Sequence, residues 1–288
     1  DLIKDAIREQ REQLGSIGPL IRRTIEGGIT VLRNLGTRAV ALPYPFATPR
    51  TVFNRTLSPM RSFASTSLPL GDLKAVKNAA QVTLNDVVLA TVAGALDRFF
   101  EARGETLSRP LVASVPMAVS SPGDLPRREG NRVANLFTSL CNDIADPLER
   151  LQRIHAITEQ AKEVQRQLGI ETMLDWSEAA PAAAYRWFLR GYSESRLADH
   201  MTPAANLIVS NVRGPDRPLY VAGARLRRLY SVGPAVEGIG LNITGWSYCG
   251  ELNVALIADA KGIADPHPIT DALGPALADL KRAAGVAS

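Results

Sequence analysis

Apolar positions change their period along this chain, and the change divides it in two. From Asp1 to about residue 40 they follow a helical stripe. Leu2, Ile3, Ile7 and Leu14 come first, and Leu20, Ile21, Ile25, Ile29 and Leu32 follow the break at Gly15-Ser16-Ile17-Gly18-Pro19. Spacings of three and four put such residues on one helix face. Pro43, Pro45 and Pro49 end the stripe, because each lacks a donor N–H and restricts the residue before it. Residues 1–47 are therefore expected to be an amphipathic helical linker, and residues 48–288 a separate domain.

Beyond Pro49, strand and helix periods alternate. Arg61–Leu70 alternates as a strand does, and Gly71–Ala80 reads as a short helix. Thr83 opens a second helix with Asp86 three residues on, a capping-box spacing with Asp in the usual Glu place. Val88, Val92, Leu96 and Phe99 then recur at helical spacing until Gly104. Leu111–Val115 and Asn135–Leu140 read as strands. Asp146-Pro147-Leu148-Glu149 starts a helix with an N-cap acid and proline at the first position. Its apolar face is Leu151, Ile154, Ile157, Ala161, Val164 and Leu168. Leu174–Leu197 reads as helix, and Leu207–Val212, Leu226–Val232, Gly240–Ser247 and Glu251–Ala258 as strands. The turn Tyr248-Cys249-Gly250 joins the last two as a hairpin. Ile269–Ala284 closes the chain as a helix, bent at Gly274-Pro275. The fold class is α/β, a mixed sheet covered by helices.

Composition narrows the function classes. The 288 residues suffice for one large domain or two small ones. A hydrophobic content of 45% and a charged content of 22% suit a soluble globular protein. The net charge of +4 permits attraction to anionic lipid or a phosphorylated cofactor. No basic stretch interleaves with aromatic residues as a base-stacking surface requires, so nucleic acid is not an expected partner. Cys141 and Cys249 lie far apart and offer neither a disulfide framework nor metal-ligand spacing, so no metal is expected. No run of 18 apolar residues marks a spanning helix, and the N-terminus carries no signal-peptide pattern. Asp1-Leu2-Ile3-Lys4 opens as though already inside a helix, which is expected of a fragment or a processed chain.

Several short motifs stand in a fixed order. They are Asn54-Arg55, Ser58-Pro59-Met60-Arg61, Thr83-Leu84-Asn85-Asp86-Val87-Val88-Leu89-Ala90, Pro110-Leu111-Val112-Ala113-Ser114-Val115-Pro116 and Gly130-Asn131. Asp146-Pro147-Leu148-Glu149-Arg150-Leu151, Ser210-Asn211-Val212-Arg213-Gly214-Pro215, Gly240-Leu241-Asn242-Ile243-Thr244 and Ser247-Tyr248-Cys249-Gly250 follow. Together, over residues 40 to 285, they resemble the C-terminal half of the bacterial wax ester synthase/diacylglycerol acyltransferases, the actinobacterial triacylglycerol synthases above all. Arg213 stands where that family usually has proline, and Ala118 and Ser120 where it often has Ser and Arg.

The resemblance implies a chloramphenicol-acetyltransferase-like fold, of which this chain is one half of a two-domain acyltransferase. It implies acyl-CoA as co-substrate, with no separate cofactor, and diacylglycerol or a fatty alcohol as acceptor. A histidine of a His-His-x-x-x-Asp-Gly motif takes the acceptor's proton, a role that suits an imidazole with a near-neutral pKa. That motif is absent from the 288 residues, whose three histidines are His155, His200 and His267. No catalytic residue is therefore expected here, and the N-terminal half bearing the motif is the expected partner, with a homodimer as the other possibility. The expected location is cytoplasmic, peripheral to membrane or lipid droplets. A non-catalytic lipid-binding domain is the alternative reading.

Candidate substrate-binding residues are Asn85, Asp86, Asn211, Asn242 and Thr244. Asn85 and Asp86 read either as residues near the substrate tunnel or as a helix cap. In Gly240–Ser247 the period of two sends Leu241, Ile243 and Gly245 one way, and Asn242, Thr244 and Trp246 the other. The second set reads as a tunnel lining with oxyanion donors, or as a face packed on a partner. His155 is expected to be structural and His200 and His267 solvated. Arg225, Arg227 and Arg228 read as a solvated edge, with CoA phosphates as the other reading. Ser114 and Ser210 lack a nucleophile-elbow context, and no Gly-rich nucleotide loop occurs.

Overall fold

The computed structural model describes residues 48–118, 133–168 and 182–286. The expected linker helix over 1–47 and the beginning of the predicted helix from Leu174 lie outside the described residues. In chain order the elements are β1 (Arg61–Pro69), α1 (Leu70–Ala80), α2 (Leu84–Ala102), β2 (Val112–Ala118), β3 (Val133–Ser139), α3 (Pro147–Leu168) and α4 (Ala182–Glu194). A 3-10 turn at Leu197–Asp199 follows, then β4 (Leu207–Val212), β5 (Tyr220–Val221), β6 (Ala224–Arg225), β7 (Leu241–Tyr248), β8 (Glu251–Asp259) and α5 (His267–Ala283).

Six strands form one sheet in the order β1-β8-β7-β4-β2-β3. β4 runs parallel to both β7 and β2, and the remaining pairs are antiparallel. The sheet is mixed, as the alternation of elements predicts. Cys249 and Gly250, at φ 47° and 88°, make the two-residue turn between β7 and β8; left-handed residues at both positions match the strands' twist. β2 extends through Pro116 because its pairing with β4 covers only Ala113 and Ser114, so the missing N–H breaks no ladder there.

Local chemistry sets the helix starts. Thr83 Oγ1 accepts from the Asp86 N–H at 3.3 Å, and Asp86 Oδ2 accepts from the Thr83 N–H at 3.0 Å, completing the capping box. Asp146 Oδ1 accepts from the Glu149 N–H at 2.7 Å at the start of α3. Helices α1, α2, α3 and α5 cover one face of the sheet, and their apolar stripes form the core with Leu241, Ile243, Val254 and Leu256. Phe53, Phe99 and Phe100 stack at one end of it. At the crossing of α2 and α5, a Cβ on Gly94 would stand 3.2 Å from Ala276 Cβ.

The expected strand Leu226–Val232 does not form. The hairpin β5–β6 stands just before it, turned at Ala222 and Gly223 with φ 49° and 81°. Side-chain chemistry redirects the backbone here. The Tyr248 hydroxyl accepts from the Leu219 N–H at 2.8 Å and donates to the Leu226 carbonyl at 2.9 Å, while the Leu226 N–H closes on the Leu219 carbonyl. Tyr230 turns to Ser67 on β1. Residues 226–240 then cross the sheet face opposite the helices as an irregular segment.

Candidate active site on the open face of the sheet

Strand register decides which side chains meet. Asn242, Thr244 and Trp246 of β7 stand beside Ile208, Ser210 and Val212 of β4, and beside Ile257, Ala255 and Asn253 of β8. Phe63, Ser65 and Ser67 of β1 flank them. This is the face opposite the helices, so the split of β7 into an apolar and a polar side is observed. Its hydroxyls and amides lie in a shallow field of apolar neighbours.

Asn242 and Thr244 are buried even on this face. The Thr244 hydroxyl donates to Asn242 Oδ1 at 2.9 Å, and Asn242 Nδ2 donates to the Pro234 carbonyl at 2.9 Å. Gly233 lies against the same amide, where a Cβ would come within 2.5 Å of Nδ2. These donors are thus engaged with each other and with the covering segment. Further along, Ser67 Oγ donates to Asn253 Oδ1 at 2.8 Å, and the Tyr230 hydroxyl lies 3.1 Å from Ser67 Oγ. Asn253 Nδ2 and Trp246 Nε1, on cross-strand partners, are buried N–H donors without an acceptor among the described residues. Buried donors are nearly always paired, so two such groups side by side are unusual. Sequence reasoning missed Ser67, Tyr230 and Asn253. The available signal was the period of two in β8, which sets Asn253 among Ala255 and Ile257.

The other predicted site residues lie elsewhere. Asn211 pairs in register with Gly245, so it belongs to the helix-covered side of β4 and not beside Thr244. Asn85 is half-buried in the first turn of α2. Asp86 is fully buried. Besides the Thr83 N–H, its carboxylate accepts from Thr83 Oγ1 at 2.7 Å and Thr158 Oγ1 at 2.8 Å, and His155 Nδ1 lies 2.7 Å away. The cluster ties the start of α2 to α3 within the helical layer. It orients His155, whose partner the sequence did not reveal.

The remaining titratable groups are structural or exposed. His200 is exposed, and His267 opens α5 with Nδ1 2.7 Å from Asp265. The backbone N–H and then the ring of His267 hold the Asp265 carboxyl below its ordinary value. Burial, more than the charge of Asp143, pushes the Cys141 thiol up. The Thr56 backbone N–H, at 2.8 Å, is the first cause that brings Asp199 down to about 2, and Arg196 assists. Arg225, Arg227 and Arg228 are exposed. Among the described residues, no group of three or more His, Cys, Asp or Glu is placed to hold a metal ion. Nor is any single helix among them long and apolar enough to cross a membrane.

Known proteins share the sequence and the fold. Residues 129–281 match the WS/DGAT C-terminal domain, and residues 4–88 match the wax ester synthase/diacylglycerol acyltransferase catalytic domain. The second match corrects the expectation of a C-terminal half alone, because the chain carries sequence of both domains. A protein of Mycobacterium tuberculosis strain H37Rv, whose name assigns it as a diacylglycerol O-acyltransferase, is 36% identical over 285 residues, covering 99% of this chain and 60% of that protein. A second protein of the same strain and assigned name is 36% identical over 249 residues, 83% of this chain and 48% of its own. The chain thus spans about half to three fifths of the length of these relatives. Among solved structures, the wax ester synthase/diacylglycerol acyltransferase from Marinobacter aquaeolei VT8 superposes with a TM-score of 0.65 at 30% identity, over 83% of this chain and 53% of that one. The EpoB cyclization-docking bidomain from Sorangium cellulosum shares the fold at a TM-score of 0.51 and 15% identity, over 92% and 49%.

Proposed function

The chain belongs to the wax ester synthase/diacylglycerol acyltransferase family, and from that premise we propose that it serves acyl transfer from acyl-CoA to the hydroxyl of a diacylglycerol or a long-chain alcohol. The reaction runs on the open face of the sheet. The observation that supports this most is the polar row of β7 on the side opposite α1, α2, α3 and α5, in a sheet that superposes on the Marinobacter enzyme.

The acceptor oxygen attacks the thioester carbonyl as an imidazole removes its proton. The tetrahedral intermediate collapses with loss of the CoA thiolate, which takes that proton and leaves as the thiol. The family's imidazole belongs to a His-His-x-x-x-Asp-Gly motif, which does not occur in the 288 residues. His155 does not serve, since Asp86 holds it within the helical layer. This chain contributes the wall of the site. Thr244, once released from Asn242, supplies a hydroxyl donor to the oxyanion, and the Pro234 carbonyl of the covering segment anchors the Asn242 amide beside it. Asn85 and Asp86 act indirectly, by fixing α2 behind the sheet.

The test is CoA release from palmitoyl-CoA with dioleoylglycerol and with hexadecanol. The polypeptide assayed contains these residues together with the histidine motif. The expected result is acceptor-dependent CoA release that falls at least tenfold on Thr244→Val with KM little changed. Lipid bound without CoA release from either acceptor would overturn acyl transfer and leave a lipid-binding domain.

A further inference from the structure

We propose that the hairpin β5–β6 is a docking element for a lipid surface carrying anionic headgroups. The tip is apolar and the base cationic. Tyr220 and Val221 are 64% and 65% exposed, and the turn between the strands is Ala222-Gly223, followed by Ala224. Arg217, Arg225, Arg227 and Arg228 flank it, all exposed. From Arg217 to Val236 the chain contains no Asp or Glu. Val232 and Val236 add exposed apolar surface in the same segment.

The element is built to present that tip. Ala222 and Gly223 both take positive φ, which for alanine costs strain and makes a tight turn with no polar side chain. The base is clamped by the Tyr248 hydroxyl, which bonds Leu219 and Leu226 at once, and Tyr248 itself is buried at the end of β7. A rigid apolar tip gains nothing from water. Four arginines without a carboxylate among them gain nothing from one another. An interface that is acidic at headgroup depth and apolar beneath satisfies both, with tyrosine at the boundary between them. The electrostatic part alone would fit any polyanion, but the exposed tip selects a lipid surface.

The inference concerns docking only and is read without turnover, so its failure and that of acyl transfer are separable. The full chain is floated with vesicles of phosphatidylcholine alone, and with vesicles containing about 30% phosphatidylglycerol, at low and at about 0.5 M salt. Binding is expected at least tenfold tighter with phosphatidylglycerol. Replacing all four arginines by glutamine (Arg217→Gln, Arg225→Gln, Arg227→Gln, Arg228→Gln) should weaken it on the order of a hundredfold or more, at roughly fivefold per charge. Tyr220→Ser with Val221→Ser should keep the preference for phosphatidylglycerol and abolish the salt-resistant remainder. Unchanged thermal melting shows that these exposed substitutions leave the fold intact. The proposal is overturned if neither variant weakens binding while Arg22→Gln, Arg23→Gln and Arg33→Gln, three basic residues beside the apolar stripe of the expected N-terminal linker, do. Displacement by millimolar free CoA would also overturn it, making the arginines a site for a soluble phosphate. So would binding of the hairpin to a second copy of the chain that persists with vesicles present.

Discussion

Asp86 shows what one residue does when its neighbours are distant in sequence. The capping box was legible, because Thr83 and Asp86 are three apart and the cap is local. The bonds to His155 and Thr158 were not, since those residues are 69 and 72 positions away and only the packing of α3 on α2 brings them in. Asp86→Ala removes the shared acceptor of the Thr83 N–H, the Thr83 and Thr158 hydroxyls and the His155 ring. It should cost about 3 kcal/mol in urea unfolding. Thr83→Ala removes only the cap and should cost about 1 kcal/mol. An Asp86→Ala protein of unchanged stability would mean that the carboxylate is not a structural tie. On the open face, Gly233→Ala places a methyl group against the Asn242 amide. Its expected signature is a lower kcat with thermal stability shifted by no more than about 1 kcal/mol. A fall in stability without loss of turnover would show that the covering segment only packs.

At the scale of elements, the periods of two and 3.6 placed most strands and helices, and the exceptions have local causes. Leu226–Val232 carries the composition of a strand, but Tyr248 and Ser67 draw its polar partners into a hairpin and an irregular crossing. Nothing in that segment's own pattern reveals a hydroxyl 22 residues further on. β7 was split correctly because period two needs no partner, whereas the side on which Asn211 falls depends on the parallel register with β7. Two predictions belong here. Gly94→Val inserts branched volume where α2 meets α5 near Ala276 and should cost about 1–3 kcal/mol by overpacking, read as a lower melting temperature. Asp199 joins the 3-10 turn to residue 56. Its folded pKa of about 2 lies below the ordinary carboxyl value. Its contribution is therefore complete above that ordinary value and is lost as pH falls towards 2. Asp199→Asn should remove that part of the acid dependence of stability, and an unaltered slope between about pH 4 and 2 would contradict it.

At the scale of the whole molecule, the family was legible from the order of its motifs, and membership rests on the matches over residues 4–88 and 129–281. The extent of that membership was misjudged. The absence of the histidine motif suggested a C-terminal half, yet catalytic-domain sequence is present near the start of the chain. A single missing motif says where a base is not; it does not say which domain the rest of the chain belongs to. Among the described residues α1, α2, α3 and α5 lie on one side of the sheet, and the other side gathers Thr244, Asn242, Ser67 and Asn253 beneath the 226–240 segment. On the proposed function, the acyl group is handled on that side. Photolabelling with a palmitoyl-CoA analogue bearing a diazirine in its chain, followed by mapping of the labelled residues, tests it most directly. Labels are expected on β7, β4 and the 226–240 segment, suppressed by unlabelled palmitoyl-CoA. Labels confined to α1, α2, α3 or α5, or labels that palmitoyl-CoA does not suppress, would contradict it.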